Sequence, residues 1–91
     1  MWIRSQSKKQ LVNANELYIG KREKNYFIST GKGNDLGTYS SEEKAMKVLD
    51  MIQNFEIRHQ ANLLLAIYSE ANDNAEENMV FQMPQDSEVE V

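Results

Sequence analysis

Few residues in this chain have the types and spacing that catalysis needs. Cysteine is absent, which removes disulfides, thiolate metal ligands and a thiol nucleophile. His59 is the one histidine, so no histidine pair can hold a metal. Its helical setting reads as a surface or interface position rather than a base. Glu42 and Glu43 are paired acids, yet neighbours on a helix do not face each other, which makes them poor partners for acid–base work. Gly31-Lys32-Gly33 sets a lysine between glycines but lacks the spacing that wraps phosphates in backbone N–H groups. A hairpin turn accounts for it. GxSxG and HExxH are also missing. The residues point to a non-enzymatic protein with no cofactor and no metal.

Binding has more support. Trp2 and Arg4 fall on one face of a strand, with Lys8 and Lys9 close behind. An aromatic ring beside cations can stack a nucleobase while the charges hold phosphates. Trp2, Arg4, Lys8 and Lys9 are therefore the candidate ligand-binding residues. The competing reading has Trp2 plugging the core and Arg4 laying its stem along apolar surface. Charge is divided unevenly. Residues 1–40 hold seven Lys or Arg against three acids, and residues 41–91 hold three against eleven. The split fits an anion-binding face on the basic half, and it fits ordinary solvated surface equally. The long helix in the acidic half argues against sequence-specific duplex DNA binding, because it would be repelled by the phosphates.

These residues need a scaffold, and the pattern supplies an α+β one. Residues 2–5, 11–12, 16–19, 25–30 and 36–39 read as short strands separated by polar or glycine-rich turns. Every connection among them is short, which predicts an antiparallel meander over about 2–39. At Ser40 the period changes. Ser40-Ser41-Glu42-Glu43 fits a capping box, with acids at the positive end of the helix dipole. Apolar residues then recur at helical spacing from Ala45 to about Ala71. The helix over about 41–71 is roughly 47 Å long at 1.5 Å per residue. A compact domain of this length has a radius of gyration of about 12 Å. The helix must overhang the body or break near 54–59.

Its second half is apolar on most sides, with Leu63 to Ile67 consecutive. A helix apolar all round is normally buried. That predicts a homo-oligomer, a dimer or higher, with Ala61, Leu64, Leu65 and Tyr68 at the seam; the alternative is a kinked helix folding back on itself. Residues 79–83 form an apolar island closed by Pro84 and are expected to dock as a short strand. Residues 85–91 read as a frayed acidic tail, whose removal should not affect stability. The whole is one domain over 1–84 plus that tail.

Length and composition set the remaining bounds. Ninety-one residues make one domain with a modest core. A small domain without disulfide staples favours an intracellular home. The opening MWIRSQSKKQ lacks the apolar region of a signal peptide, and the longest apolar run, Leu63 to Tyr68, is too short to span a bilayer. A cytoplasmic setting in a bacterial host is the expectation.

The opening MWIRSQ, the middle DLGTYSSEEKAMKVLDMIQ and the closing VFQMPQD together resemble a group of small proteins encoded by phages and prophages of Gram-positive bacteria. The match covers roughly a third of the chain. The resemblance implies a phage setting and no established activity. Small phage proteins without catalytic residues act by occupancy, and two expectations follow. One is an anti-defence protein that sequesters a nucleotide immune signal. The other is an inhibitor or regulator of a host defence protein that works through the acidic helix or tail.

Overall fold

The computed structural model describes the backbone of residues 1–69 and 80–91, and the side chains of 1–58 and 80–91. Strands β1 (Trp2–Arg4), β2 (Leu11–Asn13), β3 (Leu17–Arg22), β4 (Asn25–Thr30) and β5 (Asp35–Tyr39) precede helix α1 (Glu42–Ser69). Strand β6 (Val80–Gln82) follows, and then a 3₁₀ turn at Asp86–Glu88. The fold is α+β, as the pattern predicts.

The meander is divided. One sheet has the order β2-β1-β6 and the other β3-β4-β5. Within the first 39 residues all pairing is antiparallel, because short turns can only reverse the chain. Strand β6 instead runs parallel to β1, pairing Ile3 with Phe81. Parallel neighbours need a long crossover, and the helical stretch between β5 and β6 provides it. The island expected at 79–83 is thus a strand over Val80–Gln82; position 79 lies outside the described residues.

One side chain joins the two sheets. The Gln6 amide nitrogen donates to the Thr38 and Pro84 carbonyls, and its amide oxygen accepts from Thr38 N–H. It occupies the edge of β5 as another strand's backbone would. A bulge assists: Ile28 pairs with Gly37 and Ser29 with Asp35, leaving Leu36 as the extra residue. The Leu36 carbonyl accepts Gln6 N–H at 2.7 Å.

Helix α1 is continuous from Glu42 to Ser69, without a break at 54–59. Its cap lies one residue later than the capping box predicts. Ser41 Oγ accepts Lys44 N–H at 3.2 Å, so the third helical position is a lysine and Glu43 makes no return bond to the cap. Ser40 is used elsewhere, as described below. The helix lays Ala45, Val48 and Ile52 against Ile28, Leu36 and Tyr39 of the second sheet and Ile3 and Phe81 of the first. Phe55 meets Phe81 edge to face at 5.4 Å.

The C-terminal segment is an integral part of this core, which corrects the frayed-tail reading. Val89 is buried. The Asp86 carboxylate accepts Ser40 N–H and Ser40 Oγ–H, and faces Lys44 at 3.5 Å. Lys44 also donates to the Asp86 carbonyl and Lys47 to that of Glu90. An apolar side chain two residues before the end and a carboxylate at the helix entrance hold the segment down together.

Candidate binding face

Strand β1 carries the sequence-predicted residues, and its alternation sorts them. Ile3 points into the core, fully buried, while Trp2 and Arg4 are exposed on the outer face. The alternative in which Trp2 plugs the core is therefore set aside: Trp2 is 45% exposed. The core position is taken by Ile3, which sits between Val12 and Phe81 in the pairing.

Register then adds residues that the sequence reading missed. Asn13 and Val80 flank Trp2, and Leu11 and Gln82 flank Arg4. Leu11 is 50% exposed and Val80 40%. The outer face of the first sheet is thus two cross-strand rows, Asn13–Trp2–Val80 and Leu11–Arg4–Gln82. Strand alternation around Leu11 could have suggested the first addition. Val80 could not be found without knowing that β6 pairs with β1.

The loop from β1 to β2 carries Lys8 and Lys9, both exposed, beyond the Arg4–Leu11 pair. Two serines hold its shape. Ser5 Oγ accepts Gln10 N–H, Ser7 Oγ accepts Lys9 N–H, and the two hydroxyls lie 2.9 Å apart. Lys8 takes a positive φ of 68°. All four expected ligand residues therefore lie on or beside one surface. No Asp or Glu occurs in residues 1–13 or in β6, so Trp2, Leu11 and Val80 share this face with Arg4 on the central strand, and Lys8 and Lys9 lie beyond one end of it.

The geometry is open. Five hollows among the described residues are lined by residues other than Trp2 and Arg4, and among those residues no group of His, Asp or Glu side chains is placed to hold a metal. No described helix is long and apolar enough to cross a membrane. Ala61, Leu64, Leu65 and Tyr68, the seam positions, are on the α1 backbone but outside the residues whose side chains are described.

A hollow of about 590 Å³ lies elsewhere, lined by Ile3 and Leu17 from the sheets, Ala14 and Asn15 from the link between β2 and β3, and Leu49, Ile52, Gln53, Glu56 and Ile57 from the helix. Two ionisable groups near the C-terminal segment are displaced from their usual range. The Ser40 backbone N–H is the main cause that lowers Asp86, and burial is the main cause that raises the Tyr39 phenol, ahead of the nearby Asp86 and Glu88 charges. Tyr39 stays neutral and donates to the Pro84 carbonyl at 2.9 Å. Both groups serve the fold and neither faces the binding surface.

Comparison with protein-family models, with curated proteins and with solved structures found no match.

Proposed function

We propose that this is a non-catalytic binding protein that acts by occupancy, docking an acidic and partly apolar segment of a protein partner on the outer face of β2-β1-β6. The observation that carries this reading is the grouping of three exposed apolar side chains, Trp2, Leu11 and Val80, on one flat face. Exposed apolar groupings rimmed by polar residues mark interaction sites. Arg4 on the central strand and Lys8 and Lys9 beyond its end supply the charge, and their common sign selects an acidic partner. In the phage setting implied by the sequence resemblance, a host defence protein is the natural candidate. The acidic tail is a weaker candidate for this role, because Asp86 is engaged by Ser40 and Lys44.

A second reading rests on the adjacency of Trp2 and Arg4. The ring would stack a nucleobase and the guanidinium would hold phosphate, making the protein a sponge for a nucleotide signal. The 45% exposure of Trp2 on an outer sheet face ranks it second, since small ligands are usually enclosed.

Affinity capture from host cells tests the first reading. Wild type should retain a defined partner that Trp2→Ser and Leu11→Ser lose, while Met46→Ser on the helix keeps it. Arg4→Ala should weaken that binding by about 1.5–3 kcal/mol, as for a hydrogen bond to a charged group, and by less in high salt. Calorimetry with cyclic dinucleotides and cyclic trinucleotides tests the second. Heat with one of them, abolished by Trp2→Ser, would reverse the order of the two readings.

A further inference from the structure

We infer that the free edge of β3 takes up an extended segment of another protein as an added strand, with alternate side chains seated between β3 and helix α1. Strand β3 ends its sheet and has β4 on one side only. Among the described residues, no backbone hydrogen bond reaches Leu17–Arg22 from anything but β4. An edge strand presents a row of unpaired N–H and C=O groups, which is a template for another strand. Proteins guard such edges with charge. Here Lys21 and Arg22 cover only the last two positions, and Leu17 to Gly20 carry none.

The helix leaves room beneath this edge. It packs chiefly on β4 and β5, so Leu17 and Ile19 of β3 stay only half-buried. Two hollows lie between β3 and α1. Leu17 borders the one of about 590 Å³, with Leu49, Ile52 and Ile57 on the helix; its polar members Asn15 and Gln53 are exposed. Ile19 and Lys21 border another of about 440 Å³, with Tyr26 and Glu42. Leu17, Ile19 and Lys21 alternate along one face, about 7 Å apart. An added strand has the same period, so its side chains opposite these three meet the hollows in turn. Strand addition draws affinity from the main chain and specificity from such alternate pockets.

Charge sets the occupant. Lys21, Arg22 and Lys24 gather at one end of the strand with Glu23 as the one acid among them. Asp35 engages Arg22. Lys21 lies over the Tyr26 ring at 5.6 Å, unmatched by a carboxylate among the described residues. The segment that fits carries an apolar residue opposite Leu17 and an acid four positions away, opposite Lys21. A second copy of β3 fits worse. In the most fully paired two-fold registers, centred on Ile19 or Gly20, the second copy's Lys21 lies opposite Leu17 or Ile19 and brings a cation to an apolar position. The edge shares no residue with the outer face of β2-β1-β6.

Nuclear magnetic resonance of the full chain, titrated with two capped peptides, tests the inference. Each is threonine throughout except for aspartate, valine and leucine at alternate positions, in that order or reversed. One order should bind, shift the Leu17–Arg22 amides and slow hydrogen exchange at the outward ones. Methylating the backbone nitrogens of one alternate set of its residues should abolish binding, and of the other set should not, since one row of N–H groups faces β3. Ile57 is 58% exposed beside the larger hollow, so Ile57→Glu folds, and it should weaken binding about tenfold by setting a charge against the leucine. Lys21→Glu should weaken it about fivefold, and less in high salt. Met46→Ser should leave it unchanged. Failure of both peptides overturns the inference. So does a response centred on Trp2, Leu11 and Val80, equal binding by both methylated sets, or an outward row of β3 amides already protected before peptide is added. In that last case light scattering shows whether a second copy holds the edge.

Discussion

Phe27 lies across Gly20 on the outer face of the second sheet. A Cβ added at Gly20 would sit 2.2 Å from Phe27 Cζ, so the ring covers the strand only because no side chain is there. Arg22 stacks over the same ring at 4.6 Å and is held by Asp35 at 3.2 Å. Gly20→Ala should therefore displace Phe27 and cost about 1–3 kcal/mol, the usual penalty for overfilling a packed site, read by urea denaturation. Trp2 makes the opposite case. Trp2→Ser should change stability by no more than about 1 kcal/mol, the span of strand propensity, while abolishing partner binding. At this scale the sequence was informative where one strand sufficed: alternation alone put Trp2 and Arg4 on a shared face. It could not show that Gly20 is a seat for Phe27. The two are seven positions apart and meet only through the β3–β4 register.

Among the elements, the segment after β6 departs most from its sequence reading. Seven residues rich in acids look like a solvated tail, and what holds them is non-local: Val89 in the core and Asp86 at the entrance of α1. Deleting 85–91 should lower stability by at least about 1.5 kcal/mol, the lower figure for burying a valine-sized side chain. The Asp86 contacts carry a pH signature. Its folded pKa is depressed, so its contribution is complete above the ordinary aspartate value of about 3.9 and fades as pH falls through the folded value. Asp86→Asn should be less stable than wild type at neutral pH, with the gap closing below about pH 4. Tyr39 works in the other direction. Its folded pKa is raised, so stability is intact below about pH 10, the free phenol value, and declines above it; Tyr39→Phe should flatten that alkaline loss. Helix α1 itself was legible from its period. Its cap was misplaced by one residue because Ser40 and Ser41 are chemically alike, and only Asp86 distinguishes them.

For the molecule as a whole, class and element order could be read from the sequence, and the division into two sheets could not. Short connections imply hairpins, but nothing local shows that Gln6 bridges to Thr38 or that β6 returns beside β1. That return has a kinetic consequence. Strands β3, β4 and β5 meet through turns of a few residues, whereas Gln6 reaches Pro84 across 78 positions. Loop-closure entropy must be overcome before such distant contacts give anything back. The second sheet with the first turns of α1 should form the folding nucleus, and the first sheet should close afterwards. Ile28→Val should then chiefly slow folding, and Phe81→Leu should chiefly speed unfolding, as stopped-flow chevrons would show. During synthesis, strand β1 is made well before β6, the strand that completes its sheet. Until β6 emerges, its edge beside Trp2 and Arg4 stays unpaired, and an unpaired strand edge is open to association with another chain.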